Sequence, residues 1–207
     1  THLTLFAFST ENWQRPLAEI DGLMRIFRQY IRGKMADLVA SGVRVRFIGM
    51  RERISPRLRA LMEELEACTR DCRGLQLTIA IYYGGRDEVT RAVRGLARDV
   101  AAGRISAEAI DEAMIGRALD TRELPDPDLI IRTSGELRVS NFLLWQSVYA
   151  EYGFPQVTWP EFCPRRLGEI VDEFGGRERR FGRAAGRAAR EGGASAGRAG
   201  AIARDAV

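Results

Sequence analysis

The chain has 207 residues, 45% hydrophobic and 29% charged, with a formal net charge of +4, a composition that supports one domain or two small ones with a sizeable core. No apolar run approaches the ~18 residues of a membrane span, and no charged-then-apolar leader pattern is present. One histidine (His2) excludes a Ser-His-Asp triad away from the terminus and a His-rich metal site, and three cysteines cannot form a tetrathiolate zinc site and fit a reduced, cytoplasmic protein.

Residues 3–8 (LTLFAF) read as a buried strand. Ile20, Leu23, Met24, Phe27, Ile31, Met35 and Leu38 then recur at helical spacing, with Pro16 before them and Gly42 after. Residues 43–49 alternate as a strand with one polar side. Ser55-Pro56 opens a helix whose apolar face is Leu58, Leu61, Met62, Leu65 and Cys68. Residues 75–81 form a third strand, and Val89, Val93, Leu96 and Val100 a helix after it. Ser106 is expected to cap a short helix. Leu129-Ile130-Ile131 is a fourth strand, Gln156-Val157-Thr158 a candidate fifth, and a last helix is expected from Pro160. Alternating strands and helices predict an α/β domain with a mostly parallel central sheet flanked by helices.

Ligands of such sheets bind beyond the carboxyl ends of the strands, and polar clusters stand there. Ser9-Thr10-Glu11-Asn12-Trp13-Gln14-Arg15-Pro16 follows the first strand, Tyr83-Gly84-Gly85-Arg86 the third, and residues 132–142 (RTSGELRVSNF) the fourth. Two arginines with hydroxyls and loop amides are the donor set a diphosphate requires. Glu151, near such a loop, is a candidate magnesium ligand, because magnesium takes one or two carboxylates plus phosphate oxygens and water. No P-loop and no Rossmann fingerprint occurs. No Asp-Asp pair occurs, which excludes the aspartate-rich magnesium sites of all-helical prenyltransferases.

The charge is carried almost wholly by arginine, since Lys34 is the only lysine. Residues 183–207 are rich in Ala, Gly and Arg and are expected to be a disordered or weakly helical tail. The rest is close to neutral, which argues against nucleic-acid binding.

Taken together, Phe8-Ser9-Thr10-Glu11-Asn12-Trp13 with Arg15-Pro16, Tyr83-Gly84-Gly85-Arg86, Asp128 through Arg132-Thr133-Ser134-Gly135-Glu136, Arg138-Val139-Ser140-Asn141-Phe142-Leu143-Leu144-Trp145-Gln146, Tyr149-Ala150-Glu151 and Arg179-Arg180-Phe181-Gly182 resemble the cis-prenyltransferases, the undecaprenyl diphosphate synthase or isoprenyl transferase family. The resemblance spans residues 1–182, as one domain. It implies condensation of isopentenyl diphosphate with an allylic prenyl diphosphate, with Mg2+, to give a cis-polyprenyl diphosphate. It implies that Arg132, Arg138, Val139 and Ser140 bind the isopentenyl diphosphate and that Glu151 holds the metal. It assigns proton acceptance to Asn12, with Ser9, Thr10, Glu11, Trp13 and Arg15 around it and Glu19 in a segment closing over substrate. An amide is a very weak base, which makes released diphosphate an alternative acceptor with Asn12 orienting the reactant. Arg179, Arg180 and Gly182 match a tail reaching a diphosphate site, across the interface of a homodimer. Leu23, Phe27, Val43, Val45, Leu75 and Leu77 are candidates for an apolar tunnel wall or for plain core.

Three positions depart from the family. The family's first strand and its Asp-Gly-Asn-Gly-Arg-Trp loop, which supplies a magnesium-binding aspartate and amides for the allylic diphosphate, have no counterpart in these residues. Leu137 stands where a histidine is common, and Tyr82 where asparagine is common. The expectation is an amino-terminally incomplete member, weakly active or inactive alone. The alternative is a non-catalytic partner subunit of a cis-prenyltransferase complex; the expected location is the cytoplasm, with membrane contact peripheral at most. An RNA- or anion-binding module is a further class, disfavoured by the absence of interleaved basic and aromatic residues.

Overall fold

The computed structural model describes residues 1–177. Arg179, Arg180, Gly182 and the tail 183–207 lie outside them. Three strands, β1 (His2–Ser9), β2 (Arg44–Ile48) and β3 (Gln76–Tyr83), form a parallel sheet in the order β1-β3-β2. The central place of β3 is legible in its composition: Thr78 through Tyr83 are all buried, as a strand covered on both faces must be. Helices α1 (Leu17–Ala40) and α2 (Pro56–Cys68) link β1 to β2 and β2 to β3. They cover one face, where Ile20, Ile31, Leu58, Met62 and Leu65 meet Val45, Phe47, Ile79 and Ile81. Side chains one residue on point the other way, so Ile48, Ala80 and Tyr83 form a second cluster with Leu143, Phe6 and Phe142.

Strand β1 breaks this alternation at its carboxyl end. Phe6 pairs with Ala80 and Phe8 with Ile81, so Ala7 is an extra residue; Ser9 then pairs with Tyr83, and Tyr82 is the extra residue on β3. The bulge turns Phe8 to the α1/α2 face while Phe6 stays on the other. Tyr82 takes φ 57° and stacks on Trp13, ring centroids 4.4 Å apart. Bulges of this kind re-aim side chains beside sites.

Helix α3 (Gly85–Ala101) follows β3 directly, and α4 (Glu112–Ala118), β4 (Leu129–Ile131), β5 (Glu151–Gly153) and α5 (Pro164–Gly175) complete the described residues. Strands β4 and β5 pair in parallel as a separate two-stranded ladder, so the expected central sheet is parallel but in two pieces. A buried polar network joins α3 to the chain after it. Glu88 accepts from the Tyr83 hydroxyl at 2.6 Å, from Gln146 Nε2 at 2.9 Å and from the Asp120 amide at 2.9 Å.

Two expectations are corrected and two are narrowed. The fifth strand is not Gln156-Val157-Thr158 but Glu151–Gly153. The carbonyls of Val157 and Pro155 instead accept the Ser134 and Gly135 amides, at 2.7 and 2.9 Å, which commits that segment to bracing a loop. The last helix begins at Pro164, since Pro160 lies in a single turn closed by a Thr158/Glu161 capping box. Ser106 precedes only a three-residue turn, Ala107–Ala109, and α4 is capped by Asp111, whose carboxylate accepts the Met114 amide at 2.7 Å. Of the six tunnel candidates, Val45 is buried in the core and Phe27, Val43 and Leu77 pack against it. Leu23 and Leu75 are 39% and 38% exposed. None of the six lines the main cleft.

Candidate active site

The segments after β1, β3 and β4 converge. Between them lies an open cleft of about 610 Å3, lined by Ser9, Glu11, Asn12 and Arg15 from the first and by Arg132, Arg138, Ser140 and Asn141 from the third. Its apolar side is Phe6, Ala7 and Phe8, the bulged end of β1. Arg132, Arg138, Ser140 and Asn12, drawn from positions far apart in sequence, therefore share one cavity.

The convergence needs a backbone with no side chain in the middle. A Cβ on Gly84 would stand 2.5 Å from Thr10 Oγ1 and 2.8 Å from Asn141 Nδ2. The loop carrying the arginines is itself strained. Ser134, Ser140, Asn141 and Leu143 have φ of 68°, 46°, 62° and 47°, a region costly for residues with a side chain and typical of functional loops. It is held by the braces on Ser134 and Gly135 and by Gln146, which donates to buried Glu88 and Thr121.

The three guanidinium groups are not equivalent. Arg15 pairs with Glu19 at 2.6 Å, both about half exposed, and Arg138 pairs with Glu136. Among the described residues no carboxylate pairs with Arg132. An incoming anion must compete with described carboxylates for Arg15 and Arg138 but not for Arg132. Asn12 accepts the Ser9 amide on Oδ1 at 2.9 Å, which leaves the two N–H donors of its amide for other partners. Burial pushes the Glu11 carboxyl up, but hydrogen bonds from Asn141, its own backbone, Thr10 and Ser9 outweigh it, so the group lies below the usual carboxylate range.

Five candidates lie off the cleft lining. Thr10 packs on Gly84. Trp13 is a packing anchor, edge-on to Phe8 at 5.9 Å and stacked on Tyr82, with its indole N–H buried and without a partner among the described residues. Glu19 is the partner of Arg15. Val139 turns the loop through its carbonyl, which accepts the Phe142 amide at 3.1 Å. Glu151 opens β5 opposite Leu129, so its backbone lies about 10 Å along the ladder from the level of Arg132, three residues at ~3.3 Å each. Its carboxylate pairs with Arg177 at 3.0 Å. Holding a cation there would first require that pair to open, and among the described residues no three acidic, histidine or cysteine side chains cluster as a metal site. Magnesium takes one or two carboxylates with phosphate oxygens and water, so Glu151 is the residue that would hold it once released from Arg177.

The comparisons decide the family. The model of the family described as "Putative undecaprenyl diphosphate synthase" matches residues 1–182. The chain belongs to that family, the cis-prenyltransferases. It is 50% identical over 182 residues to an isoprenyl transferase of Agrobacterium fabrum, covering 88% of this chain and 74% of that one. It is 49% identical over 180 residues to a ditrans,polycis-undecaprenyl-diphosphate synthase, (2E,6E)-farnesyl-diphosphate specific, of Xanthomonas axonopodis pv. citri, covering 87% and 70%. Among solved structures, lavandulyl diphosphate synthase from Lavandula x intermedia in complex with dimethylallyl diphosphate superposes with a TM-score of 0.85 at 34% identity, over 87% of this chain and 78% of that one. Membership makes the chain one of a family of transferases, and among its described helices none is long and apolar enough to cross a membrane.

Sequence reasoning missed Asn141 as a member of this cis-prenyltransferase cleft. Its signal was local and faint: helix α3 starts on Gly84-Gly85, with no side chain at its own N-cap position.

Proposed function

We propose that the cleft binds the diphosphate of isopentenyl diphosphate and that the chain serves cis-prenyl transfer, yielding a polyprenyl diphosphate of the undecaprenyl type. One observation carries this reading: Arg15, Arg132 and Arg138 converge with Ser9, Ser140 and the Asn12 amide on one cavity whose other side is apolar. Arg132 and Arg138, with the Ser140 hydroxyl, hold the diphosphate by charge-assisted hydrogen bonds. The phenyl rings of Phe6 and Phe8 border the isoprenoid. In the reaction the allylic carbon–oxygen bond breaks and its diphosphate leaves with the electron pair. The isopentenyl double bond attacks the allylic carbon, and a proton leaves the adduct. With its Oδ1 held by Ser9, Asn12 orients the reactant through its NH2 group, and the released diphosphate takes the proton.

The reaction needs two diphosphates, whereas Arg15, Arg132 and Arg138 line a single cleft. The 207-residue chain is therefore expected to bind isopentenyl diphosphate and to turn over slowly alone. Pairing as a homodimer, through which Arg179 and Arg180 reach a partner's site, belongs to the same proposal and is read by sedimentation. The test of function is incorporation of labelled isopentenyl diphosphate into a lipid product, by the wild type and by Arg132→Ala. Product formed equally by both would overturn the assignment.

A further inference from the structure

Helix α3 begins without a cap of its own. Its N-cap residue is Gly84, which offers no side chain, and a Cβ there would collide with Thr10 and Asn141. The missing acceptors come from Asn141, far along the chain. Its backbone carbonyl accepts the Gly85 amide at 2.7 Å, and its Oδ1 accepts the Arg86 amide at 2.9 Å. The other end of the same side-chain amide donates to Glu11 Oε1 at 2.7 Å. These bonds span 55 and 130 residues. One side chain thus ties the segment after β1 and the start of α3 to the loop bearing Arg138 and Ser140. Its backbone sits at φ 62°, which asparagine and aspartate tolerate better than other residues with a side chain.

We infer that Asn141 is a positioning residue: by capping α3 from a distance and tethering Glu11, it fixes the arginine loop against the Asn12 segment and so sets the width of the diphosphate cleft. The diphosphate part of this inference rests on the function proposed above; the tether does not. The amide is used with both ends committed, acceptor to Arg86 and donor to Glu11, so its chemistry can be reversed in a controlled way. Asn141→Asp keeps the acceptor for the Arg86 amide and the tolerance for positive φ, but sets a carboxylate against Glu11. Adding Glu11→Gln restores a donor opposite the new acceptor and returns the cleft to its original charge.

The experiment compares wild type, Asn141→Asp and Glu11→Gln/Asn141→Asp by ligand-free amide hydrogen exchange, with melting temperature and inorganic diphosphate affinity on the same samples. Asn141→Asp should speed exchange about tenfold at the amides of residues 138–142, the loss of one charge-assisted bond, while β3 amides and the melting temperature hold. The double variant should return exchange and diphosphate affinity to within about threefold of wild type. Unchanged exchange at residues 138–142 in Asn141→Asp, acceleration spread equally through β3, or failure of the double variant to restore would overturn the inference. Wild-type protein that shows no affinity for inorganic diphosphate would sink the function proposed above instead, since the tether is read without ligand.

Discussion

The α1/α2 face of the sheet and the arginine loop at residues 132–143 are built on opposite principles. The first is apolar and regular: Met62, Leu58 and Leu65 are buried against Val45, Phe47 and Ile79, and β2 alternates as its residues dictate. The second is polar and strained, with four non-glycine residues at positive φ between Ser134 and Leu143, and long-range hydrogen bonds help hold its shape. Stability should therefore reside in the first and ligand affinity in the second, so substitutions in each should move different observables.

The largest expected effect breaks the first region. Leu65→Ala empties a site that is 1% exposed and should cost about 2–5 kcal/mol. Denaturant unfolding measures it, and the diphosphate affinity of the folded fraction should stay as in wild type. Next comes Arg132→Ala in the second region. Losing the one cleft guanidinium without a carboxylate partner among the described residues should weaken diphosphate binding about ten- to a hundredfold, from about 1.5–3 kcal/mol for a charge-assisted contact. Calorimetric titration reads this, and the melting temperature should hardly change. A loss of fold in Arg132→Ala would show that the two regions are not separable.

The buried network under the loop sharpens the comparison through pH. Burial raises the Glu88 carboxyl, and Asp120 adds to this, against hydrogen bonds from Tyr83, Gln146 and the Asp120 amide. An acid raised on folding is protonated in both states below the ordinary carboxylate value near 4.5. Its cost to stability then grows as pH rises from there through the folded value, and persists above it. The melting temperature of wild type relative to Glu88→Gln should thus fall between mildly acidic and neutral pH; a flat difference would contradict the assignment. The smallest effect is a gain. Glu136→Gln frees Arg138 from an exposed ion pair and should tighten diphosphate binding by up to about fivefold, the range of such pairs.

The fold was legible where periodicity is strong. The spacing of Ile20, Phe27 and Ile31, the alternation from Val43 to Ile48 and the run from Leu75 to Ile81 each placed an element within a few residues. The strand expected at Gln156-Val157-Thr158 failed because a β-branched stretch does not reveal which backbone groups its carbonyls will serve, and here they brace Ser134 and Gly135. The Ala7 bulge was invisible for the same reason: it is a property of pairing, not of the strand's own residues. Of the site, Arg132, Arg138, Ser140 and Asn12 were legible as chemistry placed after strands. Trp13, expected beside the substrate, packs on Phe8 and on Tyr82, which turns toward it through a positive φ. Asn141 was legible only as part of a motif, because its three partners come together only in the folded chain.

Titration of the wild-type chain and Arg132→Ala with isopentenyl diphosphate by calorimetry tests the central claim most directly. The account expects one site per chain, with affinity falling about ten- to a hundredfold in the variant. Equal affinities in the two proteins, or no binding to the wild type, would contradict it.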